Sequence, residues 1–294
     1  MTLPAPFDRI LAAAGRQAAL ATEGAEAVRI GENAVIRLPG RVVARISRPG
    51  QQQAAAREVA VARWLAEEEL PAVRALEVDQ PTLVDGRAVT WWHELPPHQA
   101  GTVTDVARLL RALHALAPPP GLALGTLDPF VRLEARIDDA HTLPPADRAW
   151  LRGRLDQLRT AWQELPAGLP ECVVHGDAWV GNVARSADGQ ARLIDLERCS
   201  LGRPEWDLVS TAIKHTSFGW VRADDYARFA DLYGYDVTAW DGYQVLRDIR
   251  ELRMALYFAQ HAPHDPAMRT EARLRLDCLR GRRGPRPWPW TPAS

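Results

Sequence analysis

His175-Gly176-Asp177-Ala178-Trp179-Val180-Gly181-Asn182, followed by Ile194-Asp195-Leu196-Glu197, is the stretch on which the reading of this chain turns. An aspartate is followed five residues later by an asparagine, and thirteen residues after that by a second aspartate. Transfer of a group to a hydroxyl needs a carboxylate to take the proton. A triphosphate donor needs a divalent cation, and so hard an ion prefers oxygen ligands. Asp177, Asn182 and Asp195 supply one base and two oxygen donors. Gly176 and Gly181 let the backbone bend beside them. A lone His-Gly-Asp reads equally well as a turn, with Asp177 as a cap and Asn182 bonding its own backbone. Asp195, at the end of the apolar pair Leu193-Ile194, favours the chemical reading.

The surroundings suit such a loop. Short strands are expected at Cys172 to Val174 and Arg192 to Leu196. Helical spacing follows at Asp207 to Lys214, Asp224 to Leu232, Tyr243 to Gln260 and Ala267 to Arg280. Upstream, Ala146 to Leu165 reads as a long helix. Thr102-x-x-Asp105 reads as a capping box, opening a helix that Pro118-Pro119-Pro120 terminates.

Closer to the N-terminus the period changes. A short helix is expected over Leu3 to Ala21. Strands are expected over Val28 to Leu38 and Arg41 to Ile46, joined at Pro39-Gly40. A helix over Gln51 to Glu69 stops at Pro71. A hairpin is expected from Thr82 to Trp92, with Asp85-Gly86 as its turn, before Leu95-Pro96-Pro97. The expected organisation is α+β: a small sheet with one inserted helix over residues 1–95, and a larger, mainly helical part over residues 96–294. The Pro- and Trp-rich end from Pro285 is expected to be irregular, with Trp288 and Trp290 pinning it to the surface.

Composition narrows the function classes. The 294 residues carry a formal net charge of −1, which argues against a nucleic-acid partner. The arginines at 280, 282, 283 and 286 read as a solvated tail. Cys172, Cys199 and Cys278 show neither zinc spacing nor a disulfide framework. The N-terminal stretch is too polar for a signal peptide, and no apolar run reaches the ~18 residues of a membrane span. A soluble, cytoplasmic protein, monomeric or homodimeric, is expected.

His175, Gly176, Asp177 and Asn182, with Asp195 after an apolar strand and Gly202-Arg203-Pro204-Glu205-Trp206-Asp207 downstream, resemble the aminoglycoside phosphotransferase and choline kinase-like family. The resemblance spans Ala27 to Arg280 and implies a bilobal protein-kinase-like fold. It implies roles by position: Asp177 as the base that orients and deprotonates the acceptor hydroxyl, and Asn182 and Asp195 as magnesium ligands. His175 and Asp207 would be structural, with Asp207 buried against the backbone of the loop.

In the first part, Arg45 occupies the strand position where the family carries a phosphate-contacting lysine, and Glu58 fits the helix glutamate that pairs with that cation. A guanidinium also matches phosphate oxygens, with a different contact geometry. Gly31-Glu32-Asn33 sits where a phosphate-covering loop belongs, and Trp91 to Leu95, through Trp92, His93, Glu94 and Leu95, where the adenine is held. Protein kinases carry a charge-neutralising lysine two residues after the base; this chain has Trp179, which either stacks on the acceptor or packs the loop. Glu197 either supports the metal, faces the substrate or lies on the surface. Glu205, Asp224, Asp225, Asp241, Asp248 and Glu251 are candidate acceptor contacts, or helix-surface partners of nearby arginines.

The implied activity is transfer of the γ-phosphoryl of ATP or GTP, with Mg2+, to a hydroxyl of an aminoglycoside-like antibiotic or related metabolite. The alternatives are a housekeeping metabolite kinase acting on choline, homoserine or a sugar, and a nucleotide-binding pseudokinase supported by Arg45 alone. A metal-dependent hydrolase lacks its clustered His and carboxylate ligands.

Overall fold

Changes of hydrophobic period along the chain become changes of element. In the computed structural model, which describes residues 3–31, 33–263 and 265–292, the order is α1 (Ala5–Ala18), β1 (Glu26–Ile30), β2 (Ala34–Leu38), β3 (Val42–Pro49), α2 (Gln52–Glu67), β4 (Thr82–Val84), β5 (Arg87–His93), β6 (His98–Ala100), α3 (Val103–His114) and β7 (Gly125–Thr126). There follow α4 (Leu133–Asp139), α5 (Pro145–Gln163), β8 (Cys172–Val174), β9 (Val183–Ser186), β10 (Ala191–Leu193), β11 (Ser200–Gly202), α6 (Glu205–Thr216), α7 (Ala223–Tyr233), α8 (Tyr243–His261) and α9 (Pro266–Leu279). By contact, residues 1–125 and 180–201 form one compact unit, and residues 126–179 and 202–294 form another.

The first unit is built on an antiparallel sheet in the order β1-β2-β3-β5-β4. Side chains alternate across it. Ala34, Ile36, Leu38, Ala44, Ile46, Val89 and Trp91 form a core with Ile10, Leu11 and Ala14 of α1. The opposite face therefore carries Arg45, with Val35 and Thr90 as its cross-strand neighbours. The Asp85-Gly86 turn has positive φ at both residues, 49° and 72°, as a two-residue hairpin requires. The expected strand from Val28 to Leu38 is two strands: the chain turns at 31–33, where the Gly31 N–H donates to the Asn33 carbonyl at 3.2 Å. Glu32 lies outside the described residues.

A second sheet in this unit, β10-β9-β6, carries part of the motif. β9 was not expected, because Val-Ala-Arg-Ser is short and half polar. The expected strand at 192–196 ends at Leu193, with a 3-10 turn over Leu196–Arg198. Thr102 and Asp105 form the expected capping box on α3. Arg185 of β9 then binds both Asp105 oxygens, at 2.7 and 2.8 Å, which fixes β9 to the helix start.

The second unit is mostly helical, and α8 packs against α4, α5, α6 and α9. α4 was not foreseen. Trp288 and Trp290 are buried as expected; the Trp288 N–H donates to the Ser217 carbonyl at 2.7 Å, and the Trp220 indole donates to the Trp290 carbonyl at 2.9 Å. The C-terminal arginines are not simply a solvated tail. Arg286 binds both oxygens of fully buried Glu251, at 2.6 and 2.8 Å, and Arg280 binds Asp147. Among the described residues, no helix is long and apolar enough to cross a membrane.

Candidate active-site residues

In the first unit the β9–β10 hairpin sets the geometry. Val183 pairs with Leu193, and the Ile194 N–H donates to the Asn182 carbonyl at 3.0 Å. Asn182 and Asp195 therefore leave the same end of one hairpin. Asp195 takes a left-handed conformation, φ 61°, before the 3-10 turn, a backbone that non-glycine residues adopt uncommonly.

Next to Asp195, three carboxylates face one guanidinium. Arg45 Nη1 donates to Glu58 Oε1 at 2.6 Å and Oε2 at 2.8 Å, and Nη2 donates to Glu197 Oε2 at 2.7 Å. Asp195 Oδ1 is 3.7 Å from Nη2. Burial alone would lower the Arg45 pKa, but Glu58, Glu197 and Asp195 outweigh it and raise it. Burial pushes Glu58 up to about 7; Arg45 opposes this, and Asp195 and Glu197 add to it. The structure thus brings Arg45 and Glu58 together as expected, and it ties Glu197 to Arg45.

Among the described residues no group of three or more His, Cys, Asp or Glu side chains has a metal-holding arrangement. The amide of Asn182 and the carboxylate of Asp195 make a sparse, all-oxygen donor set. That set fits a magnesium-type ion, which keeps several waters and takes phosphate oxygens, better than zinc. Asn33, Gln51, Thr90, Arg45, Glu58 and Glu197 line a small cavity of about 20 Å³ on this face of the sheet. In the adjoining segment the Trp92 indole donates to Thr90 Oγ1, the His93 N–H to the Arg74 carbonyl, and the Glu94 N–H to the Arg41 carbonyl. Those two N–H groups are committed to the fold, and Leu95 follows immediately before two prolines that have no N–H.

In the second unit, Asp207 lies in the first turn of α6 and is fully buried. Its Oδ2 accepts the His175 N–H at 2.7 Å, and its Oδ1 the Gly176 N–H at 2.9 Å. A buried carboxylate needs such partners. Gly176 has φ 83°, which a side chain would disfavour. The buried His175 ring accepts the Asp177 N–H through Nδ1 at 3.3 Å.

The structure adds two cations that the motif does not announce. Arg250 of α8 lies 3.9 Å over the Trp206 ring, donates to the Trp206 carbonyl at 2.8 Å, and places Nη1 3.6 Å from Asp177 Oδ1. Its side chain is 8% exposed whereas that of Asp177 is 43% exposed, so the carboxylate is held from behind and presented to solvent. Lys214 of α6 sets its ammonium 4.7 Å from the centre of the exposed Trp179 ring. Burial, reinforced by Arg250 and opposed by Asp177, pushes Lys214 down to about 7. Lys214 is the chain's one lysine among 36 lysines and arginines; that singularity is the signal by which the sequence could have shown it.

Several acidic candidates are otherwise engaged. Glu205 is fully buried, and its Oε1 accepts the Leu169 N–H at 2.5 Å, so it braces the preceding loop rather than facing an acceptor. Asp248 is bound by Arg154, Arg247 and Arg286, and Glu251 by Arg286. Asp224 and Asp241 lie on the exposed surface, and Asp225 is half-buried.

The model of the phosphotransferase enzyme family matches residues 23–248. The chain belongs to that family. No curated protein matches it by sequence. Among solved structures, a choline/ethanolamine kinase family protein from Mesorhizobium loti is 20% identical, with 94% of each chain covered and a TM-score of 0.60. An amicoumacin kinase in complex with AMP-PNP, Ca2+ and amicoumacin is 12% identical, with 92% of each chain covered and a TM-score of 0.67. A spectinomycin phosphotransferase in complex with ADP and spectinomycin is 13% identical, covering 95% of this chain and 94% of the other, with a TM-score of 0.63. This phosphotransferase-family chain therefore has the protein-kinase-like α+β fold expected from its sequence.

Proposed function

We propose that this chain is a small-molecule kinase that transfers the γ-phosphoryl of ATP or GTP to an alcohol. The observation that carries this reading is Asp177, whose carboxylate is presented to solvent on a loop clamped through two N–H groups by buried Asp207. In this reading Asp177 takes the acceptor's proton, the alcohol oxygen forms the new bond to the γ-phosphorus, and the bond to the β-phosphate oxygen breaks. Such a base is typically worth ~10²–10⁴ in rate.

Asn182 and Asp195 would hold magnesium, which when bound neutralises charge on the donor phosphates. Residues 1–95 would form the nucleotide-binding lobe and residues 96–294 the catalytic lobe. Arg45, positioned by Glu58 and Glu197, would face the phosphates, with the turn at Gly31 and Asn33 beside them. The segment Trp92, His93, Glu94 and Leu95 would lie against the base, through its carbonyls and the Leu95 N–H. The nucleotides and Ca2+ named in the structural relatives support a nucleotide donor and a divalent ion here.

Between the two acceptor readings, the metabolite kinase is favoured over the aminoglycoside kinase. A polycation needs carboxylates, and Glu205, Asp248 and Glu251 are bound within the fold while Arg250 and Lys214 stand around Asp177. A phosphorylation assay on the purified chain with Mg2+ and labelled ATP or GTP, across alcohols of differing charge, tests the reading. Metal-dependent transfer to at least one alcohol is expected. Absence of both nucleotide binding and transfer would overturn it.

A further inference from the structure

Of the 36 lysine and arginine side chains in this protein all but one are arginine, and that one stands beside the proposed base. The difference is chemical. A guanidinium keeps its charge at any working pH and binds through a rigid fork, whereas an ammonium is a compact point charge that responds to its surroundings. Half-buried Lys214 sits near the end of α6, where its carbonyl accepts the Trp220 and Val221 N–H groups at 2.7 and 3.1 Å. Its ammonium meets the face of Trp179 and has no hydrogen bond or ion pair among the described residues.

Elsewhere the protein supplies its enclosed cations with oxygens. Arg275 binds Glu271 at 2.8 Å, Arg286 binds Glu251, and Arg250 binds the Trp206 carbonyl. A desolvated ammonium without an oxygen partner is unfavourable. Lys214 and Arg250 both stand near the carboxylate of Asp177.

We propose that Lys214, held over Trp179, is the acceptor-recognition group, and that it takes the carboxylate or phosphate of an alcohol bearing an anionic group near the hydroxyl that Asp177 deprotonates. This rests on the kinase reading above and deepens it. An ammonium at that place repels a polycationic acceptor. Trp179 covers one side of the ammonium and excludes water there, which strengthens its attraction for an anion.

A pH signature accompanies the contact. The charged groups facing Lys214 are Arg250 on α8, which with burial holds its pKa near 7, and Asp177 on the loop, which pulls it back up. The ammonium is thus lost from the free enzyme as pH rises through about 7, and kcat/KM for an anionic acceptor falls with it. Lys214→Arg removes that limb because its cation does not titrate, and Lys214→Met removes the discrimination itself.

The experiment uses the full-length protein with Mg2+-ATP and three groups of acceptors: glycerate, gluconate and glycerol phosphate; glycerol and glucose; choline and kanamycin. We expect kcat/KM for the first group to exceed that for the second by about 10- to 100-fold, the worth of one hydrogen bond to a charged group. Lys214→Met should collapse this ratio, chiefly through KM, and Lys214→Arg should restore it above pH 8. Because Lys214 is the one side-chain amine, trinitrobenzenesulfonate labelling read by peptide mass spectrometry reports it separately from the N-terminal amine, without turnover. Glycerate or gluconate should protect it where glycerol and glucose do not.

Preference for neutral or cationic acceptors, equal protection by charged and uncharged alcohols, or an equal fall in kcat for every acceptor in Lys214→Met would overturn the proposal while leaving the kinase reading intact. A protein that neither binds Mg2+-ATP nor phosphorylates any acceptor would instead overturn the kinase reading beneath it.

Discussion

The two parts of the motif sit in opposite electrostatic settings. In the first unit, Glu58, Asp195 and Glu197 crowd one guanidinium, Arg45. In the second, Arg250 and Lys214 stand around one carboxylate, Asp177. Like charges gathered in low dielectric are unfavourable unless something of opposite sign joins them. In the proposed reading a divalent cation would join the acid-rich group and an anion the base-rich group. The loop from His175 to Asn182 runs from one unit into the other, and in that reading it would supply both the base, Asp177, and one metal donor, Asn182.

The largest effect should come from the base. Asp177→Asn keeps the shape of the side chain and removes its proton-accepting charge, so the transfer rate should fall by about 10²–10⁴-fold, measured as phosphoryl transfer at saturating nucleotide. Asp195→Asn tests the acid-rich side. It should abolish the gain in nucleotide affinity that magnesium gives, read by calorimetric titration with and without the metal. An unchanged gain would place the ion elsewhere.

Asp207→Asn should act on stability before chemistry. Its amide leaves one of the His175 and Gly176 N–H groups without an acceptor in a buried position, a loss of about 1–3 kcal/mol, seen as a lower melting temperature. The last effect, visible only as a change with pH, sharpens the base-rich side. Lys214 has a folded-state pKa of about 7 against an ordinary 10.5. Between those values the unfolded chain holds more protons than the folded one, so this residue's contribution to stability rises with pH. Lys214→Met should therefore melt higher than wild type at pH 7, with the gap closing as pH approaches about 10. A gap that is constant with pH would mean that the amine is not desolvated.

What the sequence showed and what it hid follow one rule. Local signals with a single physical cause were legible: the Asp85-Gly86 turn, the Thr102–Asp105 capping box, and the loop from His175 to Asn182 with Asp195 after its strand. The pairing of Arg45 with Glu58 was also legible, through the resemblance to a family whose strand cation pairs with a helix glutamate. Long-range assignments were not. Val28 to Leu38 reads as one strand because β-branched residues flank a break whose turn residues are short. Glu205 reads as an acceptor contact until its burial against the Leu169 N–H is seen. Arg250 belongs to no motif and reaches Asp177 from 73 residues away along the chain. Lys214 was visible only as an exception in composition, and its meaning depended on knowing that α6 delivers it to Trp179.

The most direct test of the whole account is equilibrium binding of ATP to the wild-type protein and to Asp177→Asn, each with and without magnesium, alongside a transfer assay. The account predicts that both proteins bind the nucleotide, more tightly with the metal, and that wild type alone transfers phosphate at an appreciable rate. A wild-type protein that binds no nucleotide in the presence of magnesium would contradict it.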